Sequence, residues 1–63
     1  MRKVRVADIR PGVQAFDPRK RRWVRVHQIL DRDEYLGMVR FLCEDSGRPV
    51  ELTADLDDTW VVR

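Results

Sequence analysis

The sequence predicts an all-β domain, a small antiparallel barrel of five or six short strands over residues 1–63. Three observations lead there. Apolar residues recur with a period of two, as in Val4/Val6, Val39/Phe41/Cys43 and Val50/Leu52. Turn-forming clusters recur at roughly 8–12-residue spacing. The apolar period of 3.6 that marks an amphipathic helix is missing.

Val4 and Val6 alternate with Lys3 and Arg5 in a first strand. Residues 7–12 turn at Pro11-Gly12, and Val13 to Phe16 form a short second strand. Asp17 to Arg22 is a polar loop. Trp23 to Leu30 is the longest strand, closed by Asp31 to Glu34. The next strand runs from Tyr35 or Leu36 to Cys43, with Gly37 marking a bulge or a bend. Glu44 to Arg48 is a hairpin turn in which Ser46-Gly47 supplies positive φ. Val50 and Leu52 alternate in the following strand, Ala54 to Asp58 turns, and Trp60 to Val62 is the last strand. The one candidate for a helical turn is Ala54 to Asp58, with Thr53 as its cap.

The predicted core is Val4, Val6, Ile9, Val13, Phe16, Trp23, Val26, Ile29, Val39, Phe41, Cys43, Val50, Leu52, Trp60 and Val62. Trp23, Val26 and Ile29 are spaced by three, whereas Val24 and Val26 keep strict alternation. Either a bulge lies within residues 25–28, or this strand is apolar on both faces and meets a partner.

At 63 residues the chain is one domain, too short for a doubly wound nucleotide-binding sheet or a two-lobed enzyme. Its apolar content of 43 % and two tryptophans exclude disorder. No apolar run is long enough to span a bilayer, and no apolar segment follows Met1-Arg2-Lys3 as in a secretory leader. A single cysteine forms no internal disulfide, and the expected location is the reducing cytoplasm.

Eleven of the 13 basic residues are Arg, Asn is absent, and Ile occurs twice. That skew is what a GC-rich genome produces, that of an actinobacterium or of one of its phages, and it discounts arginine excess as a sign of nucleic-acid binding. Charge is segregated along the chain. Residues 1–32 carry ten basic and three acidic side chains, +7, and residues 33–63 carry three and eight, −5.

Catalytic chemistry finds little support. Cys43 alternates with Val39 and Phe41 and reads as a small buried hydrophobe. His27 reads as an exposed polar-face residue, Ser46 lies in a turn, and the carboxylate pairs all fall in turns, where they bond local amides. No enzymatic activity, cofactor or small-molecule substrate is expected. Asp31, Asp33 and Glu34 start like a calcium loop but lack its glycine and distal Glu, and one Cys with one His cannot complete a zinc site. No metal is expected.

Arg19-Lys20-Arg21-Arg22 precede Trp23, and Arg25 shares the Trp23 face under strict alternation. His27 shares that face too, and Arg2, Lys3, Arg5 and Arg10 extend the patch; cations beside a strand-borne aromatic suit nucleic acid, the charges tracking phosphates and the ring stacking a base.

Residues 4–12 (Val-Arg-Val-Ala-Asp-Ile-Arg-Pro-Gly), the Trp23-Val-Arg-Val26 strand, Val39-Arg-Phe41 and Gly47-Arg-Pro-Val50-Glu-Leu52 together resemble small β modules of actinobacterial and actinophage type. These are similar to SH3-like barrels and to the opening strands of intein/hedgehog self-splicing modules. The splicing residues are missing: no nucleophilic Cys or Ser at an N-terminal junction, no Thr-x-x-His, no C-terminal His-Asn. The resemblance therefore implies an SH3-like fold with a binding or scaffold role.

The leading expectation is a non-enzymatic binding module that engages a protein partner or itself, away from membranes. The alternative is nucleic-acid binding through Arg19, Lys20, Arg21, Arg22, Trp23 and Arg25.

Overall fold

The alternating segments fold as six antiparallel strands in one sheet, seen across residues 1–63 of a computed structural model. The strands are β1 (Arg2–Arg5), β2 (Gln14–Asp17), β3 (Arg22–Asp33), β4 (Met38–Asp45), β5 (Arg48–Asp55) and β6 (Thr59–Val62). Their order is β1-β6-β2-β3-β4-β5. Thus β2 to β5 form a meander of hairpins, and β6 returns to lie between β1 and β2.

The sheet curls without closing, because β1 and β5 remain its two edges. Contacts outside the ladder bring its parts together. The Val6 amide donates to the Asp58 carbonyl at 2.8 Å, the Ala7 amide to Leu56 at 3.1 Å, and the Leu56 amide to Gly37 at 2.8 Å. Both edges are blunted against pairing with other chains. β1 has four residues, three of them basic, and β5 carries Pro49, which has no N–H to offer.

The helical turn lies elsewhere than expected. Ala54 and Asp55 finish β5, Leu56 is buried, and a single 3-10 turn covers Val6–Asp8, where the Ile9 amide returns to the Val6 carbonyl at 3.1 Å. No helix is long and apolar enough to cross a membrane.

One face of the sheet encloses thirteen apolar side chains around Phe41, whose ring lies 6.1 Å from Trp60 at a tilt of 52°. The expected core is corrected at several positions. Val4, Val13 and Val50 flank it only partly buried. Ile29 is exposed, and Phe16 and Trp23 sit half-buried on the opposite face. Ala15, Val24, Ala54 and Leu56 are buried instead. The register explains the exchange. Ala15 pairs with Val24 and Phe16 with Trp23, so one pair points inward and the other outward. Phe41 and Trp60 already occupy the interior of a domain this small, and close packing leaves room for Ala15 and Val24 rather than for a second Phe-Trp pair.

β3 is both bulged and two-faced. Register shifts fall between Val26 and Gln28 and between Ile29 and Asp31, making His27 and Leu30 the extra residues. The first shift puts Val26 opposite Cys43 and Ile29 opposite Phe41, on the same side although three residues apart. The β4–β5 hairpin turns through Ser46 (φ 53°) and Gly47 (φ 82°), two consecutive positive values that match the twist of its strands.

Cys43 lies at the centre of this core, fully buried opposite Val26. Burial, reinforced by the Asp17 carboxylate, pushes its thiol from 9.0 up to about 11. At pH 8 about one folded thiol in a thousand is ionised, so alkylation by iodoacetamide is expected only as fast as the chain opens. The folded state holds this proton more tightly than the unfolded state does. Stability should therefore fall as pH rises from 9.0 towards about 11. Denaturant titrations across that range check it, and Cys43→Ala should show a shallower fall than the parent.

Candidate nucleic-acid interface

The pleat sorts every second residue of β1, β6, β2 and the first half of β3 onto the face opposite the core. The ladder pairs Lys3 with Val61, Arg5 with Thr59, and Phe16 with Trp23. With Gln14, Arg25 and His27 these residues make up the outer surface of four strands, and no acidic side chain is among them. The outer face of β4 and β5 differs. There Arg40 is outnumbered by Glu44, Glu51 and Asp55. The charge segregation along the sequence thus becomes two unlike halves of one surface.

At the middle of the basic half the rings of Phe16 and Trp23 meet edge to face, with centroids 5.4 Å apart and planes at 68°. The Arg63 guanidinium lies 4.0 Å from the Trp23 ring centroid. It is held there from two sides, since the Arg63 amide donates to the Gln14 carbonyl at 2.9 Å and its Nε to Gln14 Oε1 at 3.2 Å. Arg25 stands next along β3 and donates to the Gly12 carbonyl at 2.8 Å, which leaves its charge uncompensated. At the rim Arg5 pairs with Asp57 at 3.0 Å, an exposed contact that contributes little and yields easily to a competing anion.

The six residues singled out from sequence do not form one cluster. Trp23 and Arg25 share the outer face. Arg22 is turned to the core side of its pair with Asp17 and bonds Asp45 at 2.8 Å. Arg19 and Lys20 line a separate hollow of about 220 Å³ beside Asp17, Leu52 and Trp60. Arg21 occupies the loop tip with φ 58°, a left-handed conformation that glycine adopts more readily. The loop owes its shape to Asp17, which is 3 % exposed. The Asp17 carboxylate accepts the Arg19 amide at 3.0 Å, and its carbonyl accepts the Arg21 amide at 2.7 Å.

The sequence reading missed Phe16 and Arg63 as members of this face, whereas Lys3 and Arg5 extend the patch as expected from sequence. Phe16 is expected in the core, and Arg63 is brought in by its bond to Gln14, most of the chain length away. The available signal was Gln14 alternating with Phe16, a polar residue sharing a face with an aromatic one.

Groups that could do covalent chemistry are kept apart. Cys43 points into the core, whereas His27 is on the outer side with its Nε2 3.3 Å from Glu44 Oε2. Asp33 and Asp58 accept amides of their own turns, from Leu36 at 2.9 Å and Thr59 at 3.1 Å. No three His, Cys, Asp or Glu side chains gather where they could hold a metal ion. Compared with protein-family models, curated proteins and solved structures, the chain matches none.

Proposed function

We propose that this protein is a non-enzymatic binding module that takes single-stranded nucleic acid on the outer face of β1, β6, β2 and β3. What supports this reading above all is the Phe16–Trp23 pair, two aromatic rings held outside the core on a face that carries Lys3, Arg5, Arg25 and Arg63 and no acid. Aromatic rings give bases a sequence-tolerant platform and the cations follow the phosphates. The Arg63 guanidinium over Trp23 marks where a base would stack, because a flat cation and a base use the same ring face. An SH3-like relationship belongs to the proposal too, supported by six antiparallel strands, a curled sheet and a long strand bent twice by bulges.

Titration of the intact protein with a single-stranded oligonucleotide of about eight nucleotides tests it. Trp23 fluorescence should be quenched while buried Trp60 keeps its emission. If three to four cations engage phosphates, affinity should fall roughly twentyfold to fiftyfold between 50 and 200 mM salt. Equal binding of polyglutamate, or oligonucleotide binding that leaves Trp23 emission unchanged, would refute the proposal.

A further inference from the structure

The longest hairpin of the fold ends in a turn that leaves two large apolar side chains in water. β3 and β4 meet through residues 34–37, where Tyr35 is 96 % and Leu36 66 % exposed. Ile29 and Leu30 on the same hairpin are exposed as well. These are the large apolar side chains left in water, apart from Met1 at the chain start, and they gather at one end of one element. Acidic residues surround them: Asp31, Asp33 and Glu34. The one cation in this stretch, Arg32, is turned back onto Glu34 at 2.7 Å and the Ala7 carbonyl at 3.1 Å.

Elsewhere the same molecule carries a complementary surface. Two adjoining hollows of about 140 and 400 Å³ share Arg2, Val13 and Val62. Their apolar walls come from Val4, Ile9, Val13 and Val62, and their rims from Arg2, Arg10 and Arg63 against a single acid, Asp8. A basic-rimmed apolar trough and an acidic apolar tip on one chain match in both charge and polarity.

We infer that the β3–β4 hairpin tip of one copy docks in the Val4–Val13–Val62 trough of a second copy, Leu36 and Tyr35 entering the trough while Asp31, Asp33 and Glu34 face Arg2 and Arg10. The occupant is a second copy because charge complementarity selects it: tip and trough carry opposite signs, and docking takes Leu36 and Tyr35 together with the half-buried Val4 and Val13 out of water. The contact joins two different patches. It therefore ends in a reciprocal pair or a ring, or continues from copy to copy. It shares the rim cation Arg63 with the nucleic-acid face but uses neither Phe16 nor Trp23, and the docking tested through Leu36 and Arg10 does not need the nucleic-acid reading.

Sedimentation of two variants and their mixture tests the inference. Leu36→Glu alters the tip and Arg10→Glu the trough, both at exposed positions where folding is not at risk. The parent should gain mass with concentration up to about 1 mM at low salt, and less so at high salt. Each variant alone should remain a 7.5 kDa species. An equimolar mixture should regain association, since it offers one intact tip and one intact trough, at a level of two chains. A parent that stays monomeric throughout, variants that associate as the parent does, or a mixture that stays monomeric would overturn it. Circular dichroism of each variant verifies the fold.

Discussion

Phe41→Ala is expected to leave much of the chain unfolded at 37 °C. Phe41 is fully buried at the middle of β4, flanked by Val39 and Cys43 on its own face and stacked towards Trp60. Truncating a buried phenylalanine costs about 3–5 kcal/mol, the lost transfer term plus the cavity left behind. A domain of 63 residues has a total stability of roughly 3–9 kcal/mol, so the change removes most of what holds it. The melting temperature should drop by roughly 15–30 °C. Thermal denaturation followed by far-ultraviolet dichroism measures this, and Tyr35→Ala, at a side chain 96 % exposed, is the control that should shift it by no more than a few degrees. A small shift in Phe41→Ala would place the centre of the core elsewhere.

Trp23→Ala is expected to weaken oligonucleotide binding roughly fivefold to 150-fold, the range for one base stacked on one ring. The fold should survive, because the side chain lies outside the core and its losses are the Phe16 edge contact and the Arg63 cover, about 1 kcal/mol each. Trp23→Phe keeps a platform and should fall between parent and alanine variant. The pair Arg19→Ala/Lys20→Ala should cost much less, since those cations border another hollow, beside Trp60. Fluorescence anisotropy of a labelled oligonucleotide ranks the three. If the loop pair costs more than the ring, the contact runs along the loop rather than over the outer face.

The strand boundaries were legible because alternation and turn chemistry are local properties. Ser46-Gly47 declares its hairpin, and Val39/Phe41/Cys43 declare a face. Which face of β3 turns inward was not legible. Trp23/Arg25/His27 and Val24/Val26 are equally good period-two sets, and the larger residue was assigned to the interior. What decides is the summed volume of Phe41 and Trp60, the second contributed by a strand far off in sequence. The Val26–Ile29 spacing did carry the bulge, which sets both residues on one side, while Trp23 outward beside Val24 inward makes the first half of the strand apolar on both faces. The assembly of the outer face depended on β6 inserting between β1 and β2, and no local pattern encodes a pairing such as Arg2 with Val62. For the same reason the basic loop, contiguous in sequence, divides in space between Arg22 on Asp45 and Arg19 with Lys20 near Trp60.

The insertion of β6 also sets an order of events in time. The β2–β3, β3–β4 and β4–β5 pairings close over short turns, whereas joining Arg2 to Val62 must bring together segments almost a chain length apart. Loop entropy delays such a pairing until the meander exists to receive it, and contacts of high sequence separation slow folding as a whole. The meander is therefore expected to form first and the β1–β6 ladder to dock last, an order that φ-values at Phe41 and Val4 check. On unfolding the reverse order is expected, with amides of β1 and β6 exchanging with solvent before those of β3 and β4 in a hydrogen-exchange experiment. The outer face that carries Lys3, Arg63 and Trp23 straddles this seam, so it is complete only when the slowest and least protected part of the molecule is in place.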